Sequence, residues 1–117
     1  MIKKFTLENV CWKNLHPNDN ATETYYFNYN EDMKDRNGFT VSEERQAESF
    51  LADICFCDEY EIISIEEAET EATEKYNKAV AELENRNISF SDMWEVDCLL
   101  YVKGYYETIE EMIEDNL

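Results

Sequence analysis

The sequence predicts an α+β fold: one small domain over residues 1–117, with a mostly antiparallel sheet of four to five strands, two longer helices and a short C-terminal helix. Three observations carry this expectation. The length of 117 residues suits one domain, and only two Gly and one Pro leave no room for a flexible linker. Apolar residues alternate at every second position in some segments and recur at three- and four-residue spacing in others. The composition is 44% hydrophobic, with eight Tyr, six Phe and two Trp, enough apolar mass for a core; disordered acidic tails lack aromatics.

The elements follow in order. "IKKFTLENVCW" reads as a strand with Phe5 and Leu7 on one face and Val10 out of step, which suggests a bulge. "HPNDN" is turn chemistry. "TETYYFNY" gives a second strand with Tyr25, Phe27 and Tyr29 on one face. After the loop "NEDMKDRNG", Thr40 or Ser42 caps a helix whose inward positions are Ala47, Phe50, Leu51 and Ile54. "EYEIISI" is rich in β-branched residues and forms a third strand. Ser64 and Glu67 have capping-box spacing. The following helix carries one apolar stripe of Ala72, Tyr76, Ala79, Val80 and Leu83, and "NRNIS" ends it. "WEVDCLLYV" alternates, with Trp94, Val96, Cys98, Leu100 and Val102 on one face; it reads as a strand, with a helix as the alternative. Gly104 turns the chain, and Thr108 with Glu111 opens a last helix through Ile109, Met112 and Ile113.

The charge is the unusual feature. The formal net charge is −18, of which residues 46–117 carry −16. Ten acids and no base lie between Gln46 and Glu74, and five acids and no base follow Lys103. Such a chain is expected not to bind DNA, RNA or anionic lipid directly; its natural partner is a basic surface. The N-terminal "MIKKFTLENVCWKNL" lacks the apolar run of a signal peptide or membrane span, so a cytoplasmic location is expected, the host cytoplasm if the chain is phage-encoded.

Sites of chemistry are sparse. His16, the one histidine, sits in a turn, and there is no Gly-rich phosphate loop. Cys11, Cys55, Cys57 and Cys98 lack paired metal-ligand spacing and are expected to be thiols, with no zinc or other cofactor. "NYNEDMKDRNG" fails as an EF-hand loop because Gly38 is out of register with Asn30 and Asp32; weak, non-specific binding of divalent cations by the acidic face is expected instead. No catalytic residue stands out, and the chain is expected not to be an enzyme.

Part of the acid content is ordinary helix chemistry. Glu66, Glu67 and Glu69 lie near a helix start, where the macrodipole favours anions. Glu71, Glu74 and Glu82 precede Lys75, Lys78 and Arg86 by four, pairs contributing roughly 0.2–0.5 kcal/mol each. Helix chemistry does not account for Asp58, Glu59 and Glu61, or for the terminal acids Glu107, Glu110, Glu111, Glu114 and Asp115. Side chains on one strand face recur about every 6.6 Å, and helix neighbours four apart sit about 6 Å apart, a scale similar to phosphates along a nucleic-acid strand.

In size, acidity and aromatic content the chain resembles phage-encoded DNA mimics, the inhibitors of restriction enzymes, CRISPR effectors and uracil-DNA glycosylase. The resemblance covers the whole chain, rests on composition and transfers no residue roles. It implies a non-enzymatic inhibitor, of anti-CRISPR or anti-restriction type, whose acidic face occupies the groove of a basic nucleic-acid-binding protein. Asp58, Glu59, Glu61, Glu66, Glu67, Glu69, Glu71, Glu74, Glu107, Glu110, Glu111, Glu114 and Asp115 are the candidate contacts, with Tyr105 and Tyr106 as exposed anchors. The alternative is a small phage or mobile-element adaptor that binds an ordinary protein through its sheet edge; a cation-dependent or enzymatic protein comes third.

Overall fold

The first strand organises the fold. In the computed structural model, which describes all 117 residues, β1 (Ile2–Asn9) lies between β2 (Thr22–Asn28) and β3 (Tyr60–Glu67) in an antiparallel sheet of order β2-β1-β3. Alternation puts Phe5 and Leu7 on one face, both fully buried. Phe5 stands opposite Tyr25 on one side and Ile65 on the other. Its ring stacks on Tyr25 at 5.8 Å between centroids and meets Phe27 and Phe50 edge-on at 5.6 and 6.1 Å. Aromatic pairs of this kind add roughly 0.5–1.5 kcal/mol beyond the area they bury. The opposite face is polar where Lys4 faces Tyr26 and Glu66, and where Glu8 faces Thr22 and Glu61.

Five helices complete the domain: α1 (Val10–Leu15), α2 (Glu43–Asp53), α3 (Thr70–Asn85), α4 (Glu95–Lys103) and α5 (Ile109–Asn116). Helix α2 buries Ala47, Phe50 and Leu51, as its spacing predicts, and Ser42 rather than Thr40 is its N-cap, accepting the Arg45 N–H at 3.2 Å. Helix α3 buries Ala72, Tyr76, Ala79 and Leu83. It packs on α4, which in turn packs on β2 and carries α5. Their apolar faces and the sheet share one core.

The expected sheet of four to five strands with two longer helices is therefore corrected to three strands and five helices. Two segments account for the difference. The first strand stops at Asn9, whose Oδ1 accepts the Trp12 N–H at 2.9 Å and caps α1, so "VCW" is helix. The expected bulge is not at Val10; the register slips between Thr6 and Leu7, with Ile63 the extra residue on β3. "WEVDCLLYV" is α4: Cys98, Leu99, Tyr101 and Val102 are the buried residues, a one-three-four pattern that belongs to a helix. Gly104 ends it in the left-handed region at φ 99°, with the Tyr105 N–H bonded to the Leu100 carbonyl and the Gly104 N–H to that of Tyr101.

The expected Ser64–Glu67 capping box is also absent, because both residues belong to β3; Glu69 holds the N-cap position of α3 without a side-chain cap bond. At α5 the expectation stands: Thr108 Oγ1 accepts the Glu111 N–H at 3.1 Å. No helix is long and apolar enough to cross a membrane.

Candidate functional site

All thirteen candidate acids are exposed, and they fall into groups along and just before β3, around the start of α3, and on and just before α5. At the start of β3, Asp58 accepts a hydrogen bond from Asn9 Nδ2 at 2.9 Å, which ties it to the cap of α1. Glu59 has no cation partner. Glu61 stands directly across from Glu8, a like-charge pair that is unfavourable in a sheet. Lys13 relieves Glu8 at 3.2 Å but not Glu61.

Where β3 leads into α3, two bases of β1 lie across the ladder: Lys3 stands opposite Glu67 but pairs with Glu43, and Lys4 holds the acids at the junction. Its ammonium pairs with Glu69 and reaches Glu66 at 3.5 Å, while the Tyr26 hydroxyl donates to Glu69 at 3.1 Å. The Lys4 hydrogen bond, with help from backbone N–H and Tyr26, holds the Glu69 carboxyl below its ordinary value; the same bond holds Lys4 above its own. Lys4, paired with Glu69 at the N-cap of α3, thus joins the sheet to the helix. Glu67, Glu71 and Glu74 have no cation within ion-pair distance. The i,i+4 pairs expected at Glu71–Lys75 and Glu74–Lys78 do not form; Lys75 instead places its ammonium 4.4 Å above the Tyr101 ring. Only Glu82–Arg86 forms, at 2.9 Å.

Arg86 also grips Glu110, so one guanidinium joins the end of α3 to the start of α5. Glu111 accepts the Glu107 N–H at 3.1 Å and helps close the cap. Glu107, Glu114 and Asp115 have no cation partner, and the last turn of α5 contains no base. From Glu69 to Arg86 the helix rises about 25 Å, so the α3-start acids and the α5 acids occupy opposite ends of α3. They cannot act as one compact site.

The two anchor tyrosines divide. Tyr105 is 67% exposed, whereas Tyr106 is 6% exposed and its hydroxyl accepts from Asn116 Nδ2 at 3.0 Å, so Tyr106 is corrected to a core residue. It stands edge-on to Tyr105 at 4.9 Å, supporting that ring from behind.

Three residues escaped the sequence reading. Trp94 precedes α4 and is 62% exposed, not on a buried strand face. Asp53 ends α2 and Glu95 begins α4; both line a groove of about 340 Å³ beside Trp94, with Phe90 and Met33 at its rim. A second groove of about 540 Å³ runs on from it past Tyr105, sharing Asp53, Trp94 and Val96. No sequence signal singled them out, because "WEVDCLLYV" fits a strand and a helix alike and the boundary at Trp94 depends on which forms.

The thiols are dispersed: Cys98 is buried, while Cys11, Cys55 and Cys57 are exposed. Burial first, then the charges of Asp97 and Glu95, pushes the Cys98 thiol up to about 12. Cys57 donates to the Cys55 carbonyl at 3.0 Å. His16 lies against the Trp12 ring at 4.2 Å between centroids. No three His, Cys, Asp or Glu side chains gather where they would hold a metal ion. In the "NEDMKDRNG" loop, the Asp35 carboxylate is turned onto the Asn37 and Phe39 N–H groups.

Fold and surface together define a small acidic α+β domain with an open sheet edge and an aromatic groove. No family model matches the chain, and no curated protein or solved structure is significantly similar to it.

Proposed function

We propose that this protein is a non-enzymatic inhibitor that presents an acidic, DNA-like surface to a basic nucleic-acid-binding protein, a CRISPR effector or a restriction enzyme, in the cytoplasm. The observation that supports this most is the set of exposed carboxylates that serve no internal partner: Glu59, Glu61, Glu67, Glu71 and Glu74, along β3 and at the start of α3, make no ion pair within the fold. Their repulsion is a cost to folding that a basic partner would relieve. Attraction between such faces speeds encounter and weakens with salt.

A second reading has its own observation. The outer edge of β3 pairs with no strand, and Ile63, 53% exposed, sits on it at the bulge. Acids on an edge strand also protect it from unwanted pairing. An adaptor that accepts a partner strand along β3 would use the same region without mimicking DNA.

The experiment is affinity capture on the immobilised protein with and without competing duplex DNA. Nucleases or other nucleic-acid-binding proteins that duplex DNA displaces support mimicry, and cleavage assays on the captured enzyme then measure inhibition. Partners that DNA does not displace, but that Ile63→Lys releases, support the adaptor.

The structure also selects the charge reversals. Glu66 and Glu69 hold Lys4, so reversing them disturbs the fold. Glu59, Glu61, Glu71 and Glu74 to Lys is the clean test, set against Asp19, Glu31, Asp32 and Glu44 to Lys, acids that likewise have no ion pair; Glu67 is left out because it stands across from Lys3. The first set is expected to abolish inhibition and the second to reduce it by less than threefold. Equal losses would reduce the contact to diffuse electrostatics, and full inhibition by the first set would remove these acids as the contact.

A further inference from the structure

We propose that the groove between α2 and α4 is a binding site for an arginine side chain presented by a basic partner protein, with Trp94 as the stacking surface and Asp53 and Glu95 as the acceptors. The proposal rests on the partner being basic, but on none of the β3 or α3 acids.

Four features point there. The first is an indole left 62% exposed at a fixed place, the residue immediately before α4. Its flat face costs little entropy to present, and guanidinium groups favour Trp over other rings. The second is Asp53. It is the last residue of α2, where the helix dipole disfavours an anion, and it makes no ion pair or side-chain hydrogen bond. Nothing in the fold accounts for a carboxylate there, yet it lines both grooves beside Trp94.

The third is Glu95, whose Oε2 accepts from the Tyr76 hydroxyl at 2.9 Å and from Asn28 Nδ2 at 3.5 Å. Both bonds fall on one oxygen. They fix the carboxylate's orientation and leave Oε1 free to accept. The fourth is the absence of a competing cation. The charged groups lining the first groove are Asp53 and Glu95 alone. In the second groove the one base is Lys103, which is committed elsewhere: its ammonium donates to the Thr24 carbonyl at 2.8 Å and lies 3.9 Å over the Tyr25 ring.

Arginine fits this arrangement better than lysine. A planar fork can stack on the indole while its edge N–H groups reach the carboxylates that line the same groove, whereas an ammonium offers one strongly hydrated point charge. Phe90 and Met33 at the rim offer apolar cover for the methylene stem.

The test uses capped tetra-arginine and tetra-lysine peptides at 0.15 M NaCl, followed by the indole N–H resonance of Trp94, which Trp12→Phe separates from that of Trp12. The expected result is a saturable shift of the Trp94 resonance and at least threefold tighter binding of tetra-arginine than of tetra-lysine. Trp94→Ala and Asp53→Asn should each weaken tetra-arginine at least fivefold, and Glu71→Gln/Glu74→Gln by less than twofold. Asp53 has no partner within the fold, so D53N keeps the test valid even if W94A perturbs α4. A Trp94 resonance unmoved at saturation, equal affinities for the two peptides, or equal losses in D53N and the Glu71/Glu74 control would each overturn the proposal. None of these outcomes bears on charge reversal along β3 and α3, so this site and the DNA-like face fail separately.

Discussion

Raising the ionic strength from 0.02 to 0.5 M should stabilise this protein strongly. A uniform sphere with its radius of gyration of 15.3 Å has a radius of about 20 Å. The Debye length falls from about 20 Å to about 4 Å over that range. Spreading the net charge of −18 over the sphere then costs about 17 kcal/mol at low salt and about 6 at high salt by Coulomb's law in water. An unfolded chain of this length has a radius of gyration near 35 Å, and the same calculation gives about 5 and about 1 kcal/mol. Salt therefore relieves the folded state by about 7 kcal/mol more than the unfolded one.

Ion pairs lower the figure, because Arg86 between Glu82 and Glu110, and Lys4 between Glu66 and Glu69, place opposite charges nearest each other. About half the value, ~3–4 kcal/mol, is the expected gain, equivalent to roughly 10–20 °C in Tm for a chain of this size. Thermal melts by circular dichroism at 0.02, 0.1, 0.2 and 0.5 M NaCl measure it. Screening requires most of the rise to come below about 0.2 M, since the Debye length shrinks fastest there; a steady rise that continues at high salt is ion exclusion instead. A Tm that falls, or rises by less than about 3 °C, would refute self-repulsion as a major destabilising term.

Burial holds the Asp97 carboxyl above its ordinary value of 3.8, against the Tyr106 hydrogen bond that lowers it. The folded state therefore binds that proton more readily, and Asp97 favours folding increasingly as pH falls from 7 through its raised value to the ordinary one. Glu69 acts oppositely: its pKa is lowered from 4.5, so its contribution is present above that value and is lost as pH falls through the folded one. Urea midpoints at constant 0.5 M salt should rise as pH falls from 7 toward Asp97's ordinary 3.8, with Glu69 opposing the rise below 4.5, and Asp97→Asn should flatten the rise; an unchanged profile in D97N would assign the effect elsewhere. Thr108→Ala, which removes the cap of α5, should cost about 1 kcal/mol in urea titrations, and a loss under ~0.3 kcal/mol would mean that α5 is held by packing alone. Phe5→Ala should cost about 3–5 kcal/mol, because its ring is fully buried against Tyr25, Phe27 and Phe50; a smaller loss would show that the aromatic cluster collapses around the gap.

The sequence carried the elements whose two periodicities do not compete. Phe5, Tyr25 and Phe27 alternate, and Ala72, Tyr76, Ala79 and Leu83 keep a helical stripe; both patterns are the buried sets of the fold. "WEVDCLLYV" misled because its apolar density satisfies both periods. Trp94, Val96, Cys98, Leu100 and Val102 fit a strand, while Cys98, Leu99, Tyr101 and Val102 fit a helix, and only packing against α3, α5 and β2 decides between them. The same error hid the groove: a Trp on a strand's apolar face is core, whereas a Trp just before a helix is free to face outward. The acids were legible as a population but not as individuals. Spacing alone does not reveal that Lys75 prefers the Tyr101 ring to Glu71, or that Lys4, far away in sequence, takes both Glu66 and Glu69.

Sorting the carboxylates by what they do inside the fold leaves two surfaces of different physical kind, and binding kinetics should separate them. Along β3 and α3, Glu61, Glu67, Glu71 and Glu74 are exposed, so water and salt screen whatever they meet. Charges of that type act at a distance and mainly change the rate of encounter. Asp53 is exposed as well and Glu95 half-buried, but both line a groove beside an indole, so a guanidinium stacked there would shield the contact from water. Truncating one partner of a desolvated pair acts mainly on dissociation. For any captured partner, neutralising the β3 and α3 set should therefore lower the association rate and flatten its dependence on salt, with dissociation nearly unchanged. Asp53→Asn should do the reverse, raising the dissociation rate at least fivefold and leaving the salt slope of association nearly intact. Surface plasmon resonance at three salt concentrations resolves both rates. If Asp53→Asn changed association alone, Asp53 would be one more screened charge on an acidic surface, and Trp94 would carry the groove's affinity without it.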